Sequence, residues 1–103
     1  MASKRPRKIV VNGVEFRWKA GIRAVESERV IEVRAWQIRA GSVLIARLVG
    51  KPASYIETAY PTPNDVRIII ECGIAKGWKF GEHGADFHLT SEDKVDLEGL
   101  RLI

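Results

Sequence analysis

The stretch TPNDVRIIIECGIAKGW, residues 62–78, carries the start signals, apolar face and stop signal of a single helix. Thr62 is a favourable N-cap, Pro63 suits the first helical position, and Asp65 completes a capping-box pattern with Thr62. Gly77 supplies a left-handed stop. The sequence therefore predicts a helix over residues 62–77, and the rest of the fold is organised around it.

Two apolar stripes run along this predicted helix. The broader one spans about 140° of arc at about 100° per residue and should lie on a sheet; it contains Val66, Ile69, Ile70, Gly73 and Ile74. Gly73 weakens the helix but permits close backbone approach. The narrower stripe lies nearly opposite and contains Ile68, Cys72 and Ala75, while Arg67 and Glu71 form an i,i+4 pair on the flank between the two stripes.

The N-terminal half reads as a sheet. Asn12-Gly13 is a strong hairpin-turn signal, and the apolar residues that follow alternate with charged ones, which predicts a hairpin over residues 9–19. Residues 20–28 are predicted to be a polar connection. Residues 29–39 form a strand pattern whose alternation changes phase, because Ala35 and Trp36 are both apolar. A β-bulge near Ala35, or a strand that contacts two layers, would explain that change of phase.

Further strands complete the predicted sheet. Residues 43–49 are almost entirely apolar, which favours a central strand covered on both faces. Residues 53–60 suggest a weaker strand, and a short strand is expected around Phe87. Residues 90–103 fit either a helix capped at Thr90 or a strand. The predicted fold is α+β, an antiparallel sheet of about five strands with one main helix packed on one face.

Length and composition indicate one domain. The chain has 103 residues, 46% of them hydrophobic and 29% charged, and no apolar run of the roughly 18 residues that a membrane span needs. Residues 1–8 contain four basic and no acidic side chains, so the other 13 basic and 13 acidic side chains balance. We expect a disordered basic tail over residues 1–8, a single domain over residues 9–103, and a cytoplasmic protein without membrane contact.

No recognised catalytic or cofactor motif is present. The chain lacks the glycine-rich phosphate loops and the nucleophile elbow, and its one cysteine, Cys72, lies well inside the helix, where a small apolar role is expected. His83 and His88 have acidic neighbours, but their spacing matches no zinc signature, and we interpret them as solvated loop residues. We therefore expect no cofactor, no metal and a non-enzymatic protein; the alternative is a small-molecule binder or enzyme with a pocket between helix and sheet, near Trp78 and His88.

Nucleic-acid binding is a second alternative. The tail provides a run of basic residues that suit phosphate contacts. In residues 76–80, basic side chains alternate with aromatic ones. The predicted contacts are Lys4, Arg5, Arg7, Lys8, Lys76 and Lys79.

Protein–protein interaction or self-association as a homodimer is the leading prediction. Residues 80–103 hold six acidic and two basic side chains and so form an acidic end suited to a basic partner. The narrow helix stripe either meets a partner or is covered by this acidic segment folding back. The predicted interaction surface comprises Arg67, Ile68, Cys72, Ala75, Glu92, Asp93 and Asp96.

Residues 61–89 resemble a segment of small bacterial proteins in which a sheet is followed by a T-P-x-x-V-R helix, a G-W stop and a final F-x-L. Some of these proteins resemble predicted immunity proteins of toxin systems, and others are carried on mobile elements. The positions that match are Thr62, Pro63, Val66, Arg67, Gly77, Trp78, Phe87 and Leu89. The resemblance implies an interaction protein of the immunity type.

Overall fold

The computed structural model describes residues 5–25, 28–50, 61–97 and 99–103. Within them lie a sheet and one helix. The strands are β1 (Arg7–Val11), β2 (Val14–Val25), β3 (Glu28–Trp36), β4 (Leu44–Gly50), β5 (Phe87–His88) and β6 (Leu100–Leu102), and the helix is α1 (Pro63–Ala75). The α+β class is confirmed, with a six-stranded sheet in place of the five or so strands expected.

The first hairpin forms as predicted. Asn12 and Gly13 join β1 to β2 with φ angles of 52° and 78°. Two successive positive φ values characterise the type I′ turn, whose twist matches that of the flanking strands. The strand β1 begins at Arg7, so Arg7 and Lys8, which the sequence assigned to the tail, pair with Trp18 and Arg17 in the sheet.

The predicted connection over residues 20–28 is wrong, because β2 continues to Val25 and β3 starts at Glu28. The two strands pair without interruption from Arg17–Trp36 to Val25–Glu28. The stretch forms strand because each residue from Ala20 to Val25 has a partner on β3. Ile22, at 53% exposure, shows that this hairpin extends beyond the cover of the helix.

The predicted bulge near Ala35 is also wrong. Pairing of β3 with β2 stays regular through Ala35 and Trp36, and β3 then ends. The phase change therefore reflects the end of the strand, and Ile38 belongs to the turn that follows. Ala40 takes a φ of 61° in that turn.

The strand β4 is central, as predicted. It pairs with β3 on one side and with both β5 and β6 on the other. Five of its seven residues are buried, on both faces of the sheet, and Arg47 is exposed. The fifth strand predicted over residues 53–60 lies outside the described residues.

The helix α1 matches its prediction closely. The hydroxyl of Thr62 accepts a bond from the Asp65 amide at 3.1 Å, and the Asp65 carboxylate accepts one from the Thr62 amide at 3.0 Å. Gly77 follows the helix with a φ of 102°. A Cβ on Gly73 would lie 2.9 Å from both methyl carbons of Leu44. Gly73 therefore allows α1 to approach β4 closely.

After α1 the chain returns to the sheet. The short strand predicted around Phe87 is β5, which runs parallel to β4. Residues 90–93 form a turn in which the Asp93 amide donates to the Thr90 carbonyl at 2.9 Å. The last residues form β6, antiparallel to β4, so the strand alternative holds for Leu100–Leu102. Within the described residues, no helix is long and apolar enough to cross a membrane.

The core lies between α1 and one face of the sheet, which we call the helix face. It contains Phe16 and Trp18 from β2, alternate residues of β3 and β4, the apolar stripe of α1, and Trp78. Because side chains alternate along each strand, the remaining strand residues lie on the opposite face.

A cationic face of the sheet as the candidate functional site

The face of the sheet opposite α1 carries a concentration of positive charge. Among the residues whose side chains the structure describes, the strand registers place six cationic side chains on it, against two acidic ones, Glu15 and Glu32. We call this surface the cationic face; its cations are Lys8, Arg17, Lys19, Arg34, Arg47 and Arg101. They come from five different strands, so only the folded sheet brings them together.

The registers arrange these residues in rows across the strands. Lys8, Arg17 and Trp36 lie opposite one another on β1, β2 and β3. Lys19 and Arg34 form the next row. With strands about 4.8 Å apart and rows about 6.7 Å apart, the cations from Lys8 on β1 to Arg101 on β6 cover roughly 19 Å across the strands and roughly 20 Å along them.

Charged side chains dominate what this face presents to solvent. Val10 on β1 is 59% exposed on this face, whereas Val30, Ile45 and Val49, which also lie on it, are buried at 7%, 3% and 3% exposure. In contrast, the side chains of Arg17, Arg34 and Arg47 are 48%, 42% and 56% exposed. A ligand that approaches this face therefore meets charged groups first.

A buried carboxylate holds two of the arginines. Glu32 is 7% exposed, and its two oxygens accept bonds from Arg34 Nε at 3.0 Å and Arg47 Nε at 3.1 Å. Because both bonds use Nε, they leave the terminal guanidinium nitrogens uncommitted by this contact. The pair of charge-assisted bonds fixes the direction of both side chains, and the three groups together retain a net positive charge.

Trp36 is the one tryptophan on this face. It is half-buried at the end of β3, opposite Arg17 and two residues beyond Arg34 on the same strand. Cross-strand partners and i±2 neighbours on one face are about 5 Å and 7 Å apart. Arg17 and Arg34 are therefore the neighbours of Trp36 on this face, and the guanidinium of Arg34 is directed along β3 toward Glu32.

The structure separates the residues that the sequence grouped as nucleic-acid contacts. Only Lys8 lies on the cationic face. Arg7 lies on the helix face, with its guanidinium 5.7 Å from the centre of the Trp18 ring. Arg5 is exposed before β1, and Lys4 lies outside the described residues.

The aromatic residues of the 76–80 segment belong to the core. Trp78 is 3% exposed, packs against Phe16 and Phe80 with ring centres 5.7 Å and 5.6 Å away, and donates its indole N–H to the Ser42 hydroxyl at 3.2 Å. This packing makes Trp78 unsuitable for base stacking. Lys79 is exposed, whereas Lys76 pairs with Asp93 at 3.0 Å.

The acidic segment folds back onto the helix. The Lys76–Asp93 pair joins it to the end of α1, and Leu97 is buried in the core. Ile68 and Cys72 are half-buried against the core, while Ala75 is exposed. Arg67 bonds Glu71 at 2.9 Å, as predicted, and also Asn64. The narrow stripe is thus largely covered within this chain.

Ionisation around Asp93 follows from its contacts. The Thr90 amide and then the Lys76 ammonium lower the pKa of Asp93, and Asp93 in turn raises the pKa of Lys76. Burial, followed by the negative charge of Asp93, raises the pKa of the Cys72 thiol. A thiol held in its neutral form is a poor nucleophile, in agreement with the structural role predicted for Cys72.

The two histidines do not lie together. His83 Nδ1 is 2.8 Å from the Ala40 carbonyl, whereas His88 lies exposed on the cationic face, beside Ile45. Trp78 is on the helix side, so Trp78 and His88 do not line one pocket. Across the described part of the chain, no group of three or more His, Cys, Asp or Glu side chains is arranged to hold a metal ion.

Comparison with known proteins adds no family: no protein-family model, curated protein or solved structure matches this chain.

Sequence patterns did not predict most residues of the cationic face. The alternation after Asn12-Gly13 already places Arg17 and Lys19 opposite Phe16 and Trp18, so these two were within reach. Arg34 and Trp36 were obscured by the expected bulge. Arg47 and Arg101 require the pairings of β4 with β3 and β6, which connect residues far apart in sequence.

Proposed function

We propose that this protein binds nucleic acid on the cationic face of its sheet. The observation that carries the proposal is the convergence of six cationic side chains, from five strands, on the face opposite α1. Phosphate contacts of this kind provide most of the affinity in sequence-independent nucleic-acid binding. A polyanion complements this surface, and nucleic acid is the polyanion that also has aromatic groups suited to Trp36.

The rest of the molecule supports binding on this side. Glu92 and Asp96 are exposed in the segment that packs on the helix side of the sheet, and Asp93 anchors that segment to α1. The cationic face therefore has an excess of positive charge, whereas the helix side carries both signs, with Lys79 and Lys94 as well as Glu92 and Asp96. Such a distribution orients an approaching polyanion and increases its association rate.

The test is fluorescence anisotropy with labelled oligonucleotides over a range of salt concentrations. Each phosphate contact contributes about 0.7 to the slope of log affinity against log salt for single strands and about 0.9 for duplexes. Lys8→Gln/Lys19→Gln removes two exposed cations, neither of which forms an ion pair within the described residues. We expect this variant to bind about ten- to a hundredfold more weakly at 50 mM salt, with a shallower slope.

A matched control makes the same change in net charge elsewhere. Lys79→Gln/Lys94→Gln removes two exposed lysines from segments that pack on the helix side. Affinity should stay within about threefold of the unmodified protein, which is small beside the loss expected for a phosphate contact. Equal losses in both variants, or no binding to any oligonucleotide, would contradict the proposal.

A basic protein partner at the acidic segment is the second candidate. The exposure of Glu92 and Asp96 favours it, whereas Asp93 is committed to Lys76 and Thr90. Reversing Glu92 and Asp96 to lysine tests this surface without disturbing the Asp93 contacts. Retention of a partner by that variant in a pull-down would argue against this candidate.

A further inference from the structure

We infer that the cationic face is specific for single-stranded nucleic acid, with one unpaired base stacked on Trp36 between Arg17 and Arg34. This inference rests on the proposed function. It adds that the ligand is single-stranded and that Trp36 is the residue that contacts its unpaired base. If the cationic face contacted only phosphates, it would bind a duplex as well as a single strand. Trp36 is the residue that should make the affinity for a single strand higher than the affinity for a duplex.

Trp36 is placed to stack on a base. It is half-buried, so its inner part is fixed by the sheet while its outer part meets solvent. The two other tryptophans are 2% and 3% exposed and serve the core. A partly exposed indole held by a strand costs little ordering entropy on binding, and stacking of a base on such a ring accepts any sequence.

Arginines on two sides of Trp36 suit the phosphates next to a stacked base. Arg17 is its cross-strand partner, and Arg34 lies two residues before it on β3. The guanidinium of Arg34 is held by the buried Glu32 at 3.0 Å, and that of Arg17 lies 3.4 Å from the exposed Glu15. A nucleotide stacked on Trp36 therefore has an arginine beside it on each of two neighbouring strands.

A duplex cannot use this arrangement. Its bases are stacked on one another and paired, so their flat surfaces are accessible only at the ends of the helix. Trp36 is half-buried in a strand and does not project as a wedge that could open a base step. A duplex would gain only the phosphate contacts, while an unpaired strand gains those contacts and the stack.

The experiment compares a single-stranded oligothymidylate with a duplex of equal length, using the full chain and three variants. Stacking on an aromatic residue corresponds to about a five- to a hundredfold gain in affinity. We expect Trp36→Ala to lose this factor for the single strand only, with an unchanged salt slope because no charge is removed. Trp36→Phe should recover most of the affinity, which separates loss of stacking from damage to the fold.

The third variant, Lys8→Gln/Lys19→Gln, distinguishes failure of the inference from failure of the proposed function. It should weaken the binding of single strand and duplex alike and lower both salt slopes. Equal affinity for both forms, with no effect of Trp36→Ala, would overturn the inference and leave the proposed function standing. Absence of binding to either form would overturn the proposed function and the inference together.

Discussion

The two tryptophans of the β2/β3 hairpin occupy neighbouring strands but opposite faces of the sheet. Trp18 on β2 is 2% exposed and belongs to the core beneath α1. Trp36 on β3 is half-buried among arginines on the cationic face. Its partner across the strand is Arg17, the residue next to Trp18.

The two tryptophans mark two faces of one sheet, a helix face that forms the core and a cationic face that meets solvent. The helix face buries nearly all its apolar side chains, so changes there should cost stability. The cationic face presents charged groups to solvent, and exposed ion pairs contribute little to stability. Substitutions of charged residues on this face should therefore cost less stability than substitutions on the helix face.

The largest expected effect is on the helix face. Trp18→Ala should lower the free energy of unfolding by about 3–5 kcal/mol, because it removes a large buried ring and leaves a cavity. Trp36→Ala should cost about 1 kcal/mol or less, since only part of that ring is buried. Urea denaturation of both variants measures the difference. Similar losses would mean that Trp36 is a core residue, and the two faces would then not differ as described.

A smaller effect is expected inside the cationic face. Glu32→Gln should cost about 1–3 kcal/mol, because a buried carboxylate that accepts two arginine bonds is replaced by a weaker acceptor. The matched control is Glu15→Gln, whose side chain is 52% exposed in its pair with Arg17; it should change stability by about 0.5 kcal/mol or less. Equal effects of the two changes in urea denaturation would show that Glu32 does not anchor the arginines.

The smallest effect concerns the acidic segment, and pH reveals it. The pKa of Asp93 is lowered on folding, so its stabilising contribution is present at neutral pH and disappears as pH falls through the folded-state pKa. The pKa of Lys76 is raised, so its contribution disappears only at strongly alkaline pH, above its unfolded-state pKa. Asp93→Asn should therefore be slightly less stable than the unmodified protein at pH 7.

The stability difference between this variant and the unmodified protein should begin to shrink below roughly pH 4, the unfolded-state pKa, and should vanish once the pH is below the lowered folded-state pKa of Asp93. Thermal unfolding from pH 3 to pH 8 measures this convergence. A stability difference that stays constant over that range would show that the Asp93 charge is not what holds the acidic segment against α1.

Local signals predicted much of the fold. Thr62 with Asp65, and Asn12 with Gly13, are capping and turn signals whose geometry depends on adjacent residues alone. The apolar run of β4 indicated a central strand for the same reason, because its composition reflects its own burial. These elements fixed the class as a sheet with one helix.

Errors arose where neighbours distant in sequence decide the outcome. The polar stretch around Gly21 forms strand because β3 provides its hydrogen-bond partners, and no local pattern indicates that pairing. The cationic face depends on the registers of five strands, so Arg47 and Arg101 could not be grouped with Lys8 from spacing. The burial of Trp78, which the sequence placed among basic residues as a possible stacking residue, depends in the same way on distant partners in the core.

The most direct test of a nucleic-acid site on the cationic face is the indole N–H region of a proton–nitrogen correlation spectrum. The chain has three tryptophans, and their indole signals report on the cationic face, the helix face and the 76–80 segment separately. Titration with a single-stranded oligothymidylate should shift the Trp36 signal progressively and leave those of Trp18 and Trp78 nearly unchanged. Movement of the Trp78 signal with an unchanged Trp36 signal would contradict the account.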